Sequence, residues 1–447
     1  MIAMLEREVD MDSSDTALSN RKRFLFAHWE GGGNTPPMLA VVRRLIGRGH
    51  EVRVLSDPCN REEVEATGAS FVSWTRAPRR ENKSPASDPL RDWELKTPPA
   101  LLRRLCDQFF VGTALPRAQD VLAELKRFEA DAIVTGEMLL GVMAAAEAAH
   151  VPCAALCANV YLFPLPGVPP FGPGLQPAKT WVGRLLHKFV AKMTMKVFGE
   201  YSEAFNATRQ ALGLESISHP FDQIARVDRV LVQTSPAFDF PATSLPRNVV
   251  YVGPEIGDPD WVEPWRSPWN ENESHPLVLV GFSSTYQDQS AVLRRVIAAL
   301  GGLDVRAVVT AGPSIDVESL EAPRNVHVCR SAPHSQLLKQ ASLVITHAGH
   351  GTVIRALAAG VPLVCMPMGR DQNDNAARVT ARQAGVRISP KASARAIRHA
   401  VLKVLENPAF HEGAQRLGAR IAYDAEHSPA VEILEQVAAR SAAAARI

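Results

Sequence analysis

Seven consecutive residues, Thr346-His347-Ala348-Gly349-His350-Gly351-Thr352, join a strand-like segment to a helix-like one. Glycine lets the backbone approach a ligand closely. A helix starting here presents unpaired N–H groups and the positive end of its dipole. Thr352 adds a hydroxyl donor, and together these groups suit a pyrophosphate. A tight strand-to-helix turn with a capping threonine fits the same spacing. A second group, Asp371-Gln372-Asn373-Asp374-Asn375, follows the strand-like run 362–366. Carboxylates and amides clustered in this way grip neighbouring hydroxyls of a sugar; a polar helix start fits too. A third, Ser283-Ser284-Thr285, ends another strand-like run. Its hydroxyls could donate to a phosphate, or form an ordinary N-cap. His347 and His350 have no supporting ligands near them in sequence that would make a metal site.

The elements that must position these groups alternate strand and helix. Arg23–Trp29 reads as a buried strand ending in Gly31-Gly32-Gly33. Pro36 and Pro37 open a helix, where their missing N–H is not needed, and Gly49 stops it. Glu51–Leu55 is the next strand. This β-loop-α-β unit implies parallel strands and a right-handed crossover. Further strands are expected at 70–74, 131–135, 153–157 and 229–233, with helices at about 100–111, 115–128 and 138–149. A Pro- and Gly-rich loop runs from Tyr161 to Pro177, followed by helical patterns over 180–212.

The segment 235–276 holds eight prolines and few periodic stretches, so it is expected to be an interdomain connection. The alternation then restarts, with strands at 277–282, 305–310, 326–328, 343–346 and 362–366. Two open parallel sheets in series fit this pattern. In such sheets ligands sit beyond the carboxyl ends of the strands. The expected division is a disordered leader at 1–22, an N-terminal domain at 23–234, the connection at 235–276, a C-terminal domain at 277–425 and a terminal helix at 426–447.

Composition sets bounds. The chain of 447 residues, 46% hydrophobic and 21% charged, has material for two or three globular domains. Lysine plus arginine exceeds aspartate plus glutamate by 49 − 47 = 2, too little to point to nucleic acid. Six cysteines without a matched pair of pairs read as reduced thiols of a cytoplasmic protein. The first residues lack the apolar core of a signal peptide, and no uncharged apolar run is long enough to span a bilayer. The basic, amphipathic stretch Lys179–Lys196 fits a solvated helix face over a cleft, or a contact with membrane or lipid-like acceptor.

The three motifs, in their order, resemble the GT-B glycosyltransferases of the UDP-glycosyltransferase-like family, in its bacterial macrolide and natural-product branch. The likeness is carried by Val326–Leu338 (VHVCRSAPHSQLL), Ala341–Met368 (ASLVITHAGHGTVIRALAAGVPLVCMPM) and Gly369–Val379 (GRDQNDNAARV). It extends to Phe24–Leu55 and Val230–Pro254. It implies two Rossmann-like domains facing across a cleft, the first for acceptor and the second for donor. It also implies inverting transfer of a hexose from a UDP- or dTDP-sugar to a small hydrophobic acceptor, with no metal and no other cofactor. By this resemblance His347 contacts the donor diphosphate, and Gly349, Gly351 and Thr352 cradle the phosphates. Ser284 matches the strand-end hydroxyl, Asp371 and Gln372 hold sugar hydroxyls, and Arg330, Ala332 and His334 lie in the loop beside the nucleobase.

Two positions depart from the family pattern. Asn34 stands where relatives have histidine, and asparagine cannot accept a proton at neutral pH. Arg355 stands where many relatives have a ribose-binding glutamate, and arginine accepts no hydrogen bond. Glu137, after strand 131–135, is the first candidate for the missing base, since burial in an apolar cleft raises a carboxylate pKa. A helix-start acid at that place needs no catalytic role. His28 is the second candidate, or a satisfied core histidine. An acidic acceptor, such as a phenol, would demand less of any base. Trp29, Trp74, Trp93, Phe109 and Phe110 are expected to wall the acceptor cleft. Asp258-Pro259-Asp260 looks like the D-x-D of metal-dependent transferases but falls in the connection, not after a sheet strand. Two other functions share this shape: a nucleotide-sugar epimerase, which needs no acceptor, and a non-catalytic nucleotide-sugar binder. Monomer and homodimer both remain open.

Overall fold

Runs such as Phe24-Leu25-Phe26-Ala27 and Leu277-Val278-Leu279-Val280 are buried along their whole length. A strand that is apolar on both sides needs helices on both faces, the condition of a parallel sheet. The computed structural model describes residues 21–444, except 96, 259–264, 271–272, 284 and 313–314. The expected leader therefore lies almost wholly outside the described residues.

Two parallel sheets form, as the alternation implies. The first holds β1 (Arg23–Ala27), β2 (Glu51–Ser56), β3 (Ser70–Ser73), β4 (Ala132–Gly136), β5 (Cys153–Cys157), β6 (Arg229–Val232) and β7 (Val249–Tyr251), ordered β3-β2-β1-β4-β5-β6-β7. The second holds β8 (Leu277–Gly281), β9 (Arg306–Thr310), β10 (Val326–Cys329), β11 (Ala341–Thr346), β12 (Leu363–Cys365) and β13 (Gly385–Arg387), ordered β10-β9-β8-β11-β12-β13. Order reverses between β1 and β4 in one sheet and between β8 and β11 in the other. Crevices for ligands open at such points.

Helices α1 (Thr35–Gly47), α2 (Arg61–Glu65), α3 (Pro98–Leu105), α4 (Ala114–Leu125), α5 (Leu140–Ala148), α6 (Trp181–Gly199) and α7 (Ser202–Ala211) accompany the first sheet. Then come α8 (Ser290–Leu300), α9 (His334–Leu338), α10 (His350–Ala358), α11 (Gln372–Ala381), α12 (Ala394–Glu406), α13 (Pro408–Glu426) and α14 (Ala430–Ala444). Helix α13 lies almost backbone to backbone on α10: a Cβ on Gly418 would stand 2.1 Å from the Leu357 carbonyl oxygen.

One expectation needs correcting. The segment 235–276 is not all connection. Val249–Tyr251 pairs in parallel with β6, Val230 facing Val249, and completes the first sheet. Three residues between prolines are too few to show a period. The terminal helix, which follows the second domain in sequence, packs on the first sheet. Ala430, Val431, Leu434, Val437 and Ala438 are buried with Phe24, Met38 and Val134 of the first domain. Among the described residues no helix is long and apolar enough to cross a membrane. The six cysteines are free.

Candidate functional site

The two crevices face each other and enclose one cavity of about 980 Å³. Its donor-side wall begins at the turn from β11 to α10. Thr346 Oγ1 accepts the Ala348 N–H at 3.2 Å, and Asn375 Nδ2 donates to the Ala348 carbonyl at 3.1 Å. Between these holds Ala348 takes φ 71°, a left-handed conformation unusual for a residue with a Cβ. The turn brings Gly349 so near the His347 ring that a Cβ there would lie 2.5 Å from Nε2. A larger residue there would have to displace the His347 ring. Helix α10 then starts with no side-chain cap and no acidic residue in its first turn. His350 N–H points at Asp371 Oδ2, 3.4 Å away. Gly349, Gly351 and Thr352 line the cavity, so the helix start faces it.

His347 also lines the cavity. Burial, with the Arg370 charge adding to it, pushes its pKa down to about 3. It is a neutral ring, a hydrogen-bonding group rather than a cation. Arg330, Ala332 and His334 border the same wall. His334 Nε2 meets Thr310 Oγ1 at 3.2 Å, and burial lowers its pKa to about 4. Ser284 lies outside the described residues, as do Pro259 and Asp260; Ser283 and Thr285 line the cavity. Arg355 reaches the cavity while Nη2 donates to the Gly257 carbonyl at 3.1 Å. Among the described residues no group of three His, Cys, Asp or Glu side chains is arranged to hold a metal ion.

Asp371 sits where the domains meet. Its Oδ2 accepts from Asn159 Nδ2 and from Asn375 Nδ2, each at 2.7 Å. Burial raises its pKa against these bonds. Gln372 borders the cavity, with its amide oxygen and one of its two amide hydrogens bonded within the protein. Oε1 accepts the Met368 and Gly369 N–H groups, and Nε2 donates to Gln287 Oε1 at 2.8 Å.

The acceptor-side wall comes from the first sheet. Glu137 follows β4, half-buried and lining the cavity. Burial, reinforced by the Asp371 carboxylate, raises its pKa to about 7. Asn34 precedes α1 and lines the cavity, yet it does not cap the helix. Its Oδ1 accepts the Gly31 N–H at 3.0 Å, and its Nδ2 donates to the Trp29 carbonyl at 3.2 Å. Asn34 staples the glycine turn. His28 does not line the cavity. It is 3% exposed, meets Thr35 Oγ1 at 3.1 Å, and Thr35 in turn donates to Glu30 Oε2 at 3.0 Å. Burial, with Arg117 adding, takes its pKa to about 3. It is the core histidine of the two readings.

Of the expected wall aromatics, Trp29 and Phe110 line the cavity. Phe109 stands behind Trp29, ring centres 4.0 Å apart. Trp74 is fully buried and donates to the His28 carbonyl at 3.0 Å. Trp93 packs edge-on against Tyr286. The wall is finished by Tyr161, Phe163, Phe198 and Phe221.

Sequence reasoning passed over three polar residues here. Arg370 donates to Asp92 through Nε at 2.9 Å and Nη2 at 2.8 Å, and to Thr285 through Nη1 at 2.7 Å. Its own φ of 54° is left-handed. Asn159 ties Asp371 to the first domain. Arg378 pairs with Asp239, Nε to Oδ1 2.8 Å. Only the adjacency of Arg370 to Asp371 could have signalled any of them.

Known proteins share this arrangement. Residues 294–439 match the family model described as the C-terminal domain of erythromycin biosynthesis protein CIII-like proteins. The 4'-demethylrebeccamycin synthase of Lentzea aerocolonigenes is 33% identical over 408 residues, which is 88% of this chain and 94% of that protein. The glycosyltransferase of kitacinnamycin superposes with a TM-score of 0.73 at 20% identity, covering 93% of this chain and 99% of that one. The calicheamicin glycosyltransferase superposes with a TM-score of 0.70 at 20% identity, covering 94% and 99%. The two structures share the fold, and the synthase, alike over nearly its full length, shares the family. This chain belongs to the UDP-glycosyltransferase-like family of GT-B enzymes, in its natural-product branch, and is a glycosyltransferase.

Proposed function

We propose that this enzyme transfers a hexose, with inversion, from a UDP- or dTDP-sugar to a small hydrophobic acceptor, and that Glu137 is the general base. The observation that supports it is one cavity with two chemically different ends. At the acceptor end a carboxylate titrates near neutrality among aromatic walls. At the donor end the α10 start, with no side-chain bond from its N-cap Gly349, turns Gly351 and Thr352 to the cavity. In this reading Glu137 takes the proton from the acceptor O–H or N–H as that atom attacks the anomeric carbon. The bond from that carbon to the diphosphate oxygen breaks with its electron pair. The leaving nucleoside diphosphate is received by the α10 N–H groups and the Thr352 hydroxyl, with His347 as a neutral hydrogen-bond partner. A single displacement from the far side inverts the centre. Asp371 keeps acceptor capacity for a sugar hydroxyl, since a carboxylate offers about four lone-pair sites. The test is a mass-spectrometric screen of UDP- and dTDP-sugars against pooled phenolic, macrolide and lipid acceptors. A hexosylated product is expected. Donor binding with no product from any acceptor would favour a non-catalytic binder, and an epimerised donor without acceptor would favour an isomerase.

Two results follow for the donor end. Thr352→Ala should weaken donor binding about tenfold to a hundredfold, the loss of about 1.5–3 kcal/mol for a hydrogen bond to a charged group. Acceptor binding should stay near normal. Calorimetry that finds unchanged donor affinity would remove Thr352 from the site. EDTA should leave the rate unchanged, because the helix start and the hydroxyls meet the diphosphate charge. An activity lost to EDTA and restored by magnesium or manganese would contradict this.

A further inference from the structure

Helix α6 closes the acceptor side of the cavity and carries its large apolar residues outward. Trp181, Val182, Leu185, Leu186, Phe189 and Met193 are between 45% and 67% exposed. At 3.6 residues per turn they form one stripe. They are six of the eight large hydrophobic residues exposed among the described residues. The opposite stripe, with His187, Ala191, Thr194 and Phe198, lines the cavity. The helix is therefore a single-layer partition between the acceptor chamber and the outside. Its start is built firmly, with Thr180 Oγ1 accepting the Gly183 N–H at 3.2 Å.

Arg184, Lys188, Lys192 and Lys196, every fourth residue and all exposed, wind from the cavity rim, which Arg184 and Lys188 also line, to the apolar stripe, which Lys192 and Lys196 flank. Like charges at that spacing repel on a helix. From Lys179 to Gly199 the sequence holds no aspartate or glutamate. Among the described residues none of the four cations makes an ion pair. Two unfavourable features thus share one helix: an apolar stripe in water and an unbalanced row of cations. An anionic lipid interface relieves both, because its acyl boundary takes up Trp, Leu and Phe while its headgroup phosphates meet Lys and Arg. A second copy of the chain would cover the stripe but press one row of cations against another.

We propose that α6 seats this enzyme on an anionic lipid surface, lying in the plane of the headgroups with the acceptor chamber directly behind it. Resting on the transferase reading, the placement has a use: a hydrophobic acceptor concentrated in the bilayer meets the enzyme beside its cavity.

The experiment is flotation of the full chain with phosphatidylcholine vesicles, with and without phosphatidylglycerol, in the absence of donor and acceptor. Flotation with the anionic vesicles alone is expected, reversed by high salt. Two double variants away from the cavity wall separate the contributions, Leu186→Ser with Phe189→Ser and Lys192→Glu with Lys196→Glu. All four positions are exposed, so folding is retained, which circular dichroism checks. Each pair should weaken vesicle binding by about tenfold or more. No flotation with anionic vesicles, or flotation unchanged in both variants, overturns the proposal. So does a lipid-free dimer, seen by light scattering, that the Leu186→Ser, Phe189→Ser pair dissociates. Because no sugar or acceptor is present, failure here leaves the transferase reading standing, and an inactive transferase leaves this result readable.

Discussion

Glu137→Gln is expected to lower kcat/KM by about 10²–10⁴, the usual cost of removing a general base. Glutamine keeps the size and the hydrogen-bonding reach of the side chain but cannot take a proton. The pH dependence carries the sharper signature. Burial raises the Glu137 pKa from 4.5 to about 7. The proton-accepting form therefore fills as pH rises through about 7, and kcat/KM should climb with it. Below that range the base is protonated and the rate falls. In Glu137→Gln this limb should vanish, leaving a low, flat profile. Asn34→Ala should cost much less, since Asn34 spends its amide on Gly31 and Trp29. A Glu137→Gln enzyme with near wild-type turnover and an unchanged pH limb would defeat the assignment. It would point to an acceptor that arrives ionised. His28 is no substitute, being sealed against Thr35.

Arg378→Met is expected to destabilise the fold by about 3–5 kcal/mol, the cost of stranding one partner of a buried ion pair. Arg378 and Asp239 have side chains only 4% exposed each. Asp239 also receives the Tyr251 hydroxyl at 2.8 Å and the Phe240 N–H at 2.7 Å. The guanidinium lies over the Phe240 ring, 4.6 Å from its centre. The pair joins α11, which begins just after Asp371, to the loop between β6 and β7 of the first domain. Methionine fills much of the volume but leaves Asp239 charged in a dry site. Adding Asp239→Asn to Arg378→Met should restore part of the loss, because the stranded charge disappears. Urea unfolding of the three variants measures this. A loss of only about 1 kcal/mol for Arg378→Met, the worth of an exposed pair, would show that water reaches the site.

What could be read from sequence was local. The strand runs 277–282 and 153–157 announced themselves because they are apolar on both faces, and the structure places strands there. The β11–α10 turn was legible because its two glycines, with a threonine after them, stand between a strand-like and a helix-like run. Pairings distant in sequence were not legible. Arg370 and Asp92 lie 278 residues apart, and no period or spacing connects them. Trp29 and Trp74 look alike as aromatic residues in a cleft domain. One lines the cavity and the other is interred beneath it, a difference set by which strand end each follows. The bonds of Gln372 to Met368, Gly369 and Gln287, which orient its amide at the cavity edge, could not be read from the sequence. A terminal helix at 426–447 could be read from the sequence, but not its packing on the first sheet.

That last helix has a consequence for how the protein is made. Residues 430–438 complete the apolar layer over Phe24 and Met38. A chain growing on the ribosome has all seven strands of its first sheet by Tyr251, yet the part of one face beside α1 stays uncovered until the second domain has been synthesised and α14 emerges. Domains that fold one after another during synthesis normally finish the first before the second. Here the first is a discontinuous folding unit. Nascent chains arrested anywhere between 252 and 429 should bind chaperones through that bare face, and release should coincide with the emergence of α14.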